Sequence, residues 1–317
     1  MRILITGCAG FIGSQLSSRL CARGHDLVGL DCFDETLYPA ALHRDNLAAI
    51  APGVGRFTFH QGDLLDGPLL AQVVAGCDAV IHLAALAGVR PSLGQAPRYM
   101  RVNVEGTALL LAACRAAGVR RILFASSSSV YGATSQVPFR EDDPALRPAS
   151  PYAASKRAGE LLCSTEADLY GAAITSLRFF TVYGPRQRPE MAIHKFARLI
   201  LNGQPVPLYG DGQTARDYTF IEDILDGIEG ALQRTDAPGH RVYNLGGSQV
   251  TTLRRLVELL EGALGRRAII DWQPEQPGDV PITYADVSRA TGELGYAPRV
   301  PITEGIERFC RWLLARG

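Results

Sequence analysis

The chain has 317 residues, of which 47% are hydrophobic, and its 32 basic and 32 acidic side chains give a formal net charge of zero. This length is sufficient for two domains, or for one large α/β unit with an added lobe. The balanced charge excludes the strong positive field of nucleic-acid-binding proteins, and no apolar run approaches the roughly 20 residues that span a bilayer. The seven scattered cysteines form no CxxC pair, so we expect reduced thiols, a cytoplasmic location and no metal site.

Short apolar segments alternate with helical ones through the first half of the chain. We predict a helix from Phe11 to about Arg23 and strands at RILIT, DLVGLD, FTFHQGDL, AVIHLAA, RILFASSS and AAITSLRFF. This alternation favours an α/β fold, a Rossmann-type doubly wound parallel sheet with helices on both faces.

The composition changes after about residue 178, where prolines and glycines cluster. Between these clusters we predict amphipathic helices at about 191–202, 222–233, 252–264 and 303–315. These features predict a smaller C-terminal α+β lobe. We therefore place a first domain at residues 1–178, to which segments near 215–247 return, and a second at residues 179–317.

A glycine-rich segment, GCAGFIG, lies between the first predicted strand and the first predicted helix. Gly7, Gly10 and Gly13 permit a tight turn, close approach to a pyrophosphate and close packing of helix on strand. Asp31 ends the next strand, where a carboxylate accepts hydrogen bonds from adenosine ribose hydroxyls and repels a 2′-phosphate. The pattern predicts NAD rather than NADP, although Asp31 also fits an ordinary turn residue.

Two further strand ends face the same predicted crevice. Asp63 ends the third strand, where we expect it near the adenine. The segment HLAAL, residues 82–86, ends the fourth strand with small residues that allow a cofactor to lie close. His82 lies within the strand, so we interpret it as a satisfied buried histidine rather than a base.

The segment SPYAASKRAGE, residues 150–160, places Tyr152 and Lys156 four residues apart. Ser150 followed by Pro151 predicts a helix N-terminus, so the two side chains lie on one helix face. An ammonium beside a phenol favours the phenolate, which makes the tyrosine a usable general base. An ordinary helix surface is the alternative interpretation.

Four consecutive serines, residues 126–129, end another predicted strand. The carboxyl ends of parallel strands are where ligands bind in such sheets, so one of these hydroxyls is expected to bond a reacting sugar oxygen. A plain serine-rich loop is the alternative.

Together, the GxxGxxG segment, the serine-rich strand end and YxxxK resemble the extended short-chain dehydrogenases of the NAD-dependent epimerase/dehydratase family, over essentially the full chain. In that family the tyrosine exchanges a proton with a sugar hydroxyl, the lysine lowers its pKa and holds the nicotinamide ribose, and a Ser or Thr assists. The resemblance assigns these roles to Tyr152, Lys156 and Ser127. Ser126 and Ser128 stay alternatives, because the run of serines blurs the register.

The segments at residues 86–93, 178–192 and 276–290 resemble those of UDP-glucuronate 4-epimerases. This resemblance implies an NAD-binding first domain, a UDP-sugar-binding lobe and a homodimer through a helix pair that includes the YxxxK helix. The resemblance also implies NAD contacts at Phe11, Ile12, Leu64, Leu83, Ala84, Ala85, Asn103, Ser126 and Phe179. Its UDP-sugar contacts are Arg90, Ser127, Ser128, Thr181, Arg188, Pro207, Tyr209, Arg216 and Asp279. The planar arginine fork suits a diphosphate, although each arginine also fits a solvated surface charge.

The residues before VYG indicate the reaction. Dehydratases of the family carry an acidic pair there and decarboxylases a glutamate, whereas this chain has Ser128 and Ser129. Hydride removal from C4 by NAD and return to the opposite face is then the simplest chemistry. We expect UDP-glucuronate to give UDP-galacturonate through a 4-keto intermediate. UDP-glucose 4-epimerase is the alternative, followed by a dehydratase, a decarboxylase or a non-catalytic NAD-sensing protein.

Overall fold

The computed structural model describes residues 1–51, 53–132, 136–145, 147–247, 249–274 and 280–316. The strands are β1 Arg2–Thr6, β2 Asp26–Asp31, β3 Phe57–Gln61, β4 Ala79–His82, β5 Arg121–Ser127, β6 Ala173–Phe179, β7 Thr181–Tyr183, β8 Pro205–Tyr209, β9 Ala215–Phe220, β10 Gly239–Leu245, β11 Val250–Thr252 and β12 Ile269–Gln273. The helices are α1 Phe11–Ala22, α2 Ala40–Ala48, α3 Gly67–Val74, α4 Val89–Leu93, α5 Ala96–Met100, α6 Gly106–Ala116, α7 Pro151–Tyr170, α8 Ala192–Leu201, α9 Ile221–Arg234, α10 Leu253–Leu264, α11 Ser288–Leu294 and α12 Ile302–Leu314. A π-helical turn, Arg101–Glu105, joins α5 to α6, and a 3₁₀ turn, Ser128–Tyr131, follows β5.

A seven-stranded sheet in the order β10-β6-β5-β4-β1-β2-β3 forms the centre of the fold. The pairs β1/β2, β2/β3, β1/β4 and β4/β5 are parallel. The chain moves outward from β1 to β3 and then returns to place β4 on the other side of β1. This order confirms the predicted doubly wound α/β fold and puts its topological switch point between β1 and β4.

Continuous apolar runs explain the central strands. Ile3, Leu4 and Ile5 of β1 are all fully buried, as expected for a parallel strand that is covered on both faces. Apolar side chains of α3, α6 and α7 complete one core layer against the sheet, with Leu70, Leu111 and Cys163 among them.

The chain separates into two compact units. Unit 1 comprises Met1–Gly132, Pro144–Arg178 and Ile228–Tyr243, and unit 2 comprises Ala133–Asp143, Phe179–Gly227 and Asn244–Gly317. The sequence prediction placed residues 133–143 in the first domain, whereas the described residues 136–143 group with unit 2. The reason lies in their bonds: Phe139 N donates to Tyr284 O, and Asn244 Nδ2 donates to Phe139 O.

Unit 2 contains two small sheets. One has the order β11-β9-β7, and the other pairs β8 with β12 in parallel. Helices α8, α10 and α12 pack together through buried apolar side chains such as Phe196, Leu256 and Phe309. The observed bounds of α8, α9, α10 and α12 confirm the four amphipathic helices predicted for the second half of the chain.

Candidate functional site

The glycine-rich turn between β1 and α1 is the first component of the site. Gly7 has φ +73°, and a Cβ at this position would lie 2.8 Å from Ala84 N in the loop after β4. A Cβ on Gly13 would lie 2.1 Å from Gly7 O, so α1 approaches the turn too closely for any side chain there. Gly10 caps α1 without a side chain, and Phe11 and Ile12 begin the helix. The turn therefore leaves an open backbone cradle at a helix N-terminus, which is a shape that accepts a pyrophosphate.

Asp31 is buried at the end of β2 and holds this turn. Its Oδ2 accepts from Ala9 N at 3.0 Å, and its Oδ1 accepts from Phe33 N at 2.9 Å. Burial raises the pKa of the carboxyl, while these two bonds and the nearby His43 oppose that rise. The carboxylate thus positions the loop on which a dinucleotide would lie, a contribution that its sequence position alone did not indicate.

The loop after β4 is fixed by Asn103 from the π-helical turn. Asn103 Oδ1 accepts from Leu86 N at 2.8 Å, and its Nδ2 donates to Leu86 O and to Ser155 Oγ, each at 2.9 Å. Both side-chain amide hydrogens of Asn103 are therefore donated to acceptors within the protein. The side chain connects the loop, which includes Leu83 to Ala85, with helix α7.

His82 is a buried structural residue, as predicted. Its Nδ1 lies 2.7 Å from Thr6 Oγ1 and its Nε2 lies 3.0 Å from Thr107 Oγ1. Burial, with a smaller effect of the Lys156 charge, lowers its pKa to about 3. An imidazole that is neutral and hydrogen-bonded through both ring nitrogens is a poor general base near neutral pH.

Tyr152 and Lys156 lie on the N-terminal half of α7. Ser150 Oγ accepts from Ala153 N at 3.1 Å and Pro151 occupies the first turn, which confirms the predicted helix start. Lys156 is buried, and its Nζ donates to Ala125 O on β5 at 2.7 Å. Burial lowers the pKa of this ammonium to about 8. The half-buried Tyr152 ring stands edge-on to Tyr99, with ring centroids 6.3 Å apart.

The structure distinguishes the serines at the end of β5. Ser126 is buried, and its Oγ donates to Glu160 Oε1 at 2.6 Å, so its hydroxyl is engaged in the interior. Side chains alternate along a strand, and Ser127 is half-buried, as are Ser128 and Ser129. Ser127 Oγ accepts from Ser129 Oγ at 2.9 Å. The hydroxyl hydrogen of Ser126 is therefore already bound by Glu160, and the predicted roles of Ser126 at the cofactor and in catalysis stay predictions.

Two charged residues of this region were missed by the sequence interpretation. Glu160 lies four residues after Lys156, and both of its carboxylate oxygens accept hydrogen bonds from Arg178 on β6. The signal available in the sequence was spacing, since Tyr152, Lys156 and Glu160 follow each other at intervals of four on one helix face.

The other predicted residues of unit 1 differ in exposure. Leu64 is buried, and its Cβ is close enough to α6 that a Cβ on Gly106 would lie 3.0 Å away. Asp63 is exposed, and its Oδ1 accepts from Leu65 N at 3.0 Å. Arg90 is exposed on α4. The roles predicted for these residues stay predictions.

Unit 2 carries the remaining predicted UDP-sugar residues and Phe179, a predicted NAD contact. Phe179 is buried, and the half-buried Thr181 begins β7. Arg188 Nη1 lies 3.0 Å from Glu190 Oε1, and Arg216 Nη1 donates to Ala215 O at 2.9 Å. Pro207 and Tyr209 are half-buried on one face of β8. Asp279 lies outside the described residues.

A buried carboxylate beside Arg216 was also missed. Asp217 is fully buried, and its Oδ1 accepts from Gly247 N at 2.6 Å while its Oδ2 accepts from Ala285 N at 3.1 Å. It therefore ties two loops of unit 2 to β9, the strand that carries Arg216. The sequence feature that could have pointed to Asp217 is its position directly after Arg216 in the segment ARDYTF.

Comparison with known proteins gives the family. Residues 3–246 match the sequence pattern described as the NAD dependent epimerase/dehydratase family. The chain belongs to this family. UDP-glucuronate 4-epimerase 1 of Arabidopsis thaliana is 42% identical over 99% of this chain and 76% of its own length.

Two solved structures have the same fold over the whole chain. UDP-glucuronic acid 4-epimerase from Bacillus cereus, solved with UDP-glucuronic acid and NAD, is 35% identical with a TM-score of 0.93 and full coverage of both chains. MoeE5, solved with UDP-glucose and NAD, is 36% identical with a TM-score of 0.89, over 100% of this chain and 99% of its own. In the described part of the present chain, no helix combines the length and apolar character needed to cross a membrane.

Proposed function

We propose that this family member is an NAD-dependent 4-epimerase that interconverts UDP-glucuronate and UDP-galacturonate. The observation that carries the proposal is the pair of Tyr152 and Lys156 on α7 beside a strand end that bears hydroxyls instead of an acid. The 42% identity with a UDP-glucuronate 4-epimerase over nearly the whole chain supports the same substrate. Serines at positions 128 and 129 leave no acid there for elimination, which argues against a dehydratase.

The residues of unit 1 fit NAD. The cradle at Gly7 and Gly13 has no room for a Cβ, which suits close approach of a pyrophosphate to the backbone. Phe11, Ile12 and the loop at Leu83 to Ala85 border this cradle, and Asp31 holds it in place. When bound, NAD supplies the chemistry of removing hydride from C4 and returning it to the opposite face.

Side chains of the protein remove and return the proton at O4 of the sugar. The positive charge of Lys156 favours the phenolate of Tyr152, which removes the O4 proton as C4 is oxidised and returns a proton to O4 of the product. Ser127 bonds the same oxygen and keeps it directed at the phenol. Arg188 and Arg216 are proposed to bind the diphosphate, and Asp279 to accept from the uridine ribose.

The proposed role of Lys156 has a consequence for pH dependence. Burial lowers its pKa to about 8, so the ammonium loses its proton in the folded enzyme above that pH, well below the usual range of lysine. We expect kcat/KM for UDP-glucuronate to fall above pH ~8, because the neutral amine no longer favours the phenolate. A pH-rate profile, with circular dichroism at each pH to confirm folding, tests this. Activity that stays constant up to pH 10 would contradict the assignment.

The proposed role of Asp31 predicts a change in cofactor preference. Asp31→Asn keeps the side-chain volume and one acceptor oxygen for the glycine turn but removes the charge that repels a 2′-phosphate. We expect the ratio of NAD to NADP affinity, measured by calorimetric titration, to fall. Asp26→Asn, at the other end of β2, is the control and should leave the ratio unchanged. An unchanged ratio in Asp31→Asn would remove Asp31 from the cofactor site.

A second candidate function is UDP-glucose 4-epimerisation. It is suggested by MoeE5, which has been solved with UDP-glucose and NAD as well as with UDP-glucuronic acid and NAD. Incubation of the purified protein with UDP-glucuronate, UDP-glucose and dTDP-glucose in turn, with product identification by NMR, separates the candidates. Formation of UDP-galacturonate supports the proposal, UDP-galactose alone supports the alternative, and a 4-keto-6-deoxy sugar indicates a dehydratase. Absence of any turnover would favour an NAD-sensing protein.

We further propose a cytoplasmic homodimer. The seven cysteines are free thiols, which suits a reducing compartment. Leu161 and Leu169, two turns apart on α7, are 55% and 67% exposed, and such apolar side chains are typical of a helix surface that a second subunit covers. Light scattering of the purified protein distinguishes a dimer from a 34.2 kDa monomer.

A further inference from the structure

A buried ion cluster lies directly behind the serine-rich end of β5. Glu160 and Arg178 are each only 1% exposed. Arg178 Nε donates to Glu160 Oε1 and its Nη2 donates to Oε2, both at 2.9 Å, in a bidentate pair. Arg157 Nη1 adds a third bond to Oε2 at 2.8 Å. Burial raises the pKa of Glu160, but Arg178 outweighs this effect and holds the pKa below its usual value, so the carboxylate is charged.

The cluster reaches the strand end through Ser126. Ser126 Oγ donates to Glu160 Oε1 at 2.6 Å, and the carbonyl of the preceding Ala125 accepts from Lys156 Nζ at 2.7 Å. Lys156 and Glu160, one turn apart on α7, thus bind two successive residues of β5. The next residue of the strand is Ser127, and the next turn of the helix towards its N-terminus carries Tyr152.

The same cluster supports the chain after Ser127. The guanidinium carbon of Arg178 lies 4.7 Å from the ring centroid of Tyr131, the last residue of the 3₁₀ turn that follows β5. Ser127 is therefore fixed on both sides, by Ser126 through Glu160 and by Tyr131 through Arg178. A buried ion pair is in general weak evidence for stability, since well-packed apolar residues often serve as well. In this protein the pair also accepts the Ser126 hydroxyl, a hydrogen bond that apolar side chains do not supply.

We propose that Glu160, paired with Arg178, is a positioning residue of the epimerase. It acts through Ser126 to hold the Ser127 hydroxyl at the distance from Tyr152 that O4 of the sugar requires. The proposal rests on the proposed function for its effect on rate. A displacement of about 1 Å of a group that orients substrate can reduce turnover on the order of 100-fold, so loss of this hold is expected to reduce kcat rather than binding.

Ser126→Ala tests the proposal, because it removes one hydroxyl and leaves the pair of Glu160 and Arg178 intact. The matched control is Ser176→Ala on β6, which removes an equally buried hydroxyl that lies 2.8 Å from His240 Nε2. We expect similar losses of Tm in both variants. In Ser126→Ala, kcat for UDP-glucuronate should fall roughly 10- to 100-fold with unchanged KM and NAD affinity. In Ser176→Ala, kcat should stay at the wild-type level.

A double variant distinguishes positioning from direct contact of Ser126 with substrate. If Ser126 acts by holding Ser127, then adding Ser126→Ala to Ser127→Ala should cause little further loss of kcat. Additive losses, equal kcat in Ser126→Ala and wild type, or equal losses in Ser126→Ala and Ser176→Ala would each overturn the proposal.

Amide hydrogen exchange separates this proposal from the proposed function. Exchange at residues 127–131 should be faster in Ser126→Ala and unchanged in Ser176→Ala, whether or not the protein turns over a sugar nucleotide. Wild-type protein without epimerase activity would contradict the proposed function. Unchanged exchange at residues 127–131 in Ser126→Ala would contradict the positioning role of Glu160.

Discussion

Tyr152→Phe is expected to abolish epimerisation while leaving the affinities for NAD and the UDP-sugar largely unchanged. The substitution removes only the ionisable oxygen, and the aromatic ring still fills its place edge-on to Tyr99. Loss of a general acid or base typically costs about 10²- to 10⁴-fold in rate, and the loss here should exceed roughly 100-fold because the same oxygen serves in both directions. Turnover of UDP-glucuronate and calorimetric titration of both ligands measure the two quantities separately.

Tyr170→Phe provides the control for this experiment. Tyr170 ends the same helix, is about half exposed, and lies with its ring 4.1 Å from the guanidinium carbon of Arg115, a contact that phenylalanine keeps. It should have wild-type kcat. If Tyr152→Phe also retained near wild-type turnover, another residue would have to exchange the proton at O4, and the proposed mechanism would be wrong.

Local features of the site follow from the sequence because their causes are local. The start of α7 is determined by a serine cap and the proline after it, and the common face of Tyr152 and Lys156 follows from the helical period. Gly7 is likewise predictable, since a tight turn between a strand and a helix requires a residue that adopts positive φ.

The orientation of the serines depends on partners that are distant in the chain. Ser126 to Ser129 have the same side chain, so their sequence contains no information about which one faces the interior. Glu160, 34 residues later, selects Ser126, and Arg178 on another strand makes a buried carboxylate there tolerable.

Asp31 illustrates a second limit of sequence interpretation. Its place at the end of β2 predicts a ligand contact, but the carboxylate also holds the amides of Ala9 and Phe33. A residue that supports the glycine turn and one that binds ribose occupy the same sequence position, so the pattern cannot separate the two roles. The titration of Asp31→Asn with NAD and NADP separates them, because only the second role changes the ratio of affinities.

The Thr181 hydroxyl provides a test of uronate against neutral hexose. We propose that it bonds the C5 carboxylate of the sugar. Thr181→Val keeps the β-branched shape at the start of β7 and removes the hydroxyl. A hydrogen bond to a charged group contributes about 1.5 to 3 kcal/mol, roughly 10- to 150-fold in affinity, whereas a neutral one contributes about 1 kcal/mol. UDP-glucuronate binding should therefore weaken more than UDP-glucose binding.

Thr181→Val should also allow a side reaction, loss of carbon dioxide from the oxidised sugar. Oxidation at C4 turns a hexuronate into a β-keto acid, whose C5–C6 bond breaks most readily when it is aligned with the π system of the C4 carbonyl. Hydroxyls that hold the carboxylate near the carbonyl plane prevent this alignment. With the Thr181 hydroxyl removed, the carboxylate turns, carbon dioxide leaves, and the bonding electrons form an enolate that takes up a proton at C5. The hydride that NAD would have taken from C4 in the first step would then return to C4 of the 4-ketopentose, with a proton from Tyr152, and give a UDP-pentose.

Mass spectrometry of the products of Thr181→Val should detect UDP-pentose beside UDP-galacturonate, and a coupled assay should detect carbon dioxide. Thr181→Ser keeps a hydroxyl at the same place and should give neither, which separates loss of the hydrogen bond from a change in packing. Because the pentose forms only from the uronate, its appearance also excludes a neutral hexose as the source of the signal. Equal weakening of both sugars in Thr181→Val, with no pentose, would favour the UDP-glucose epimerase instead.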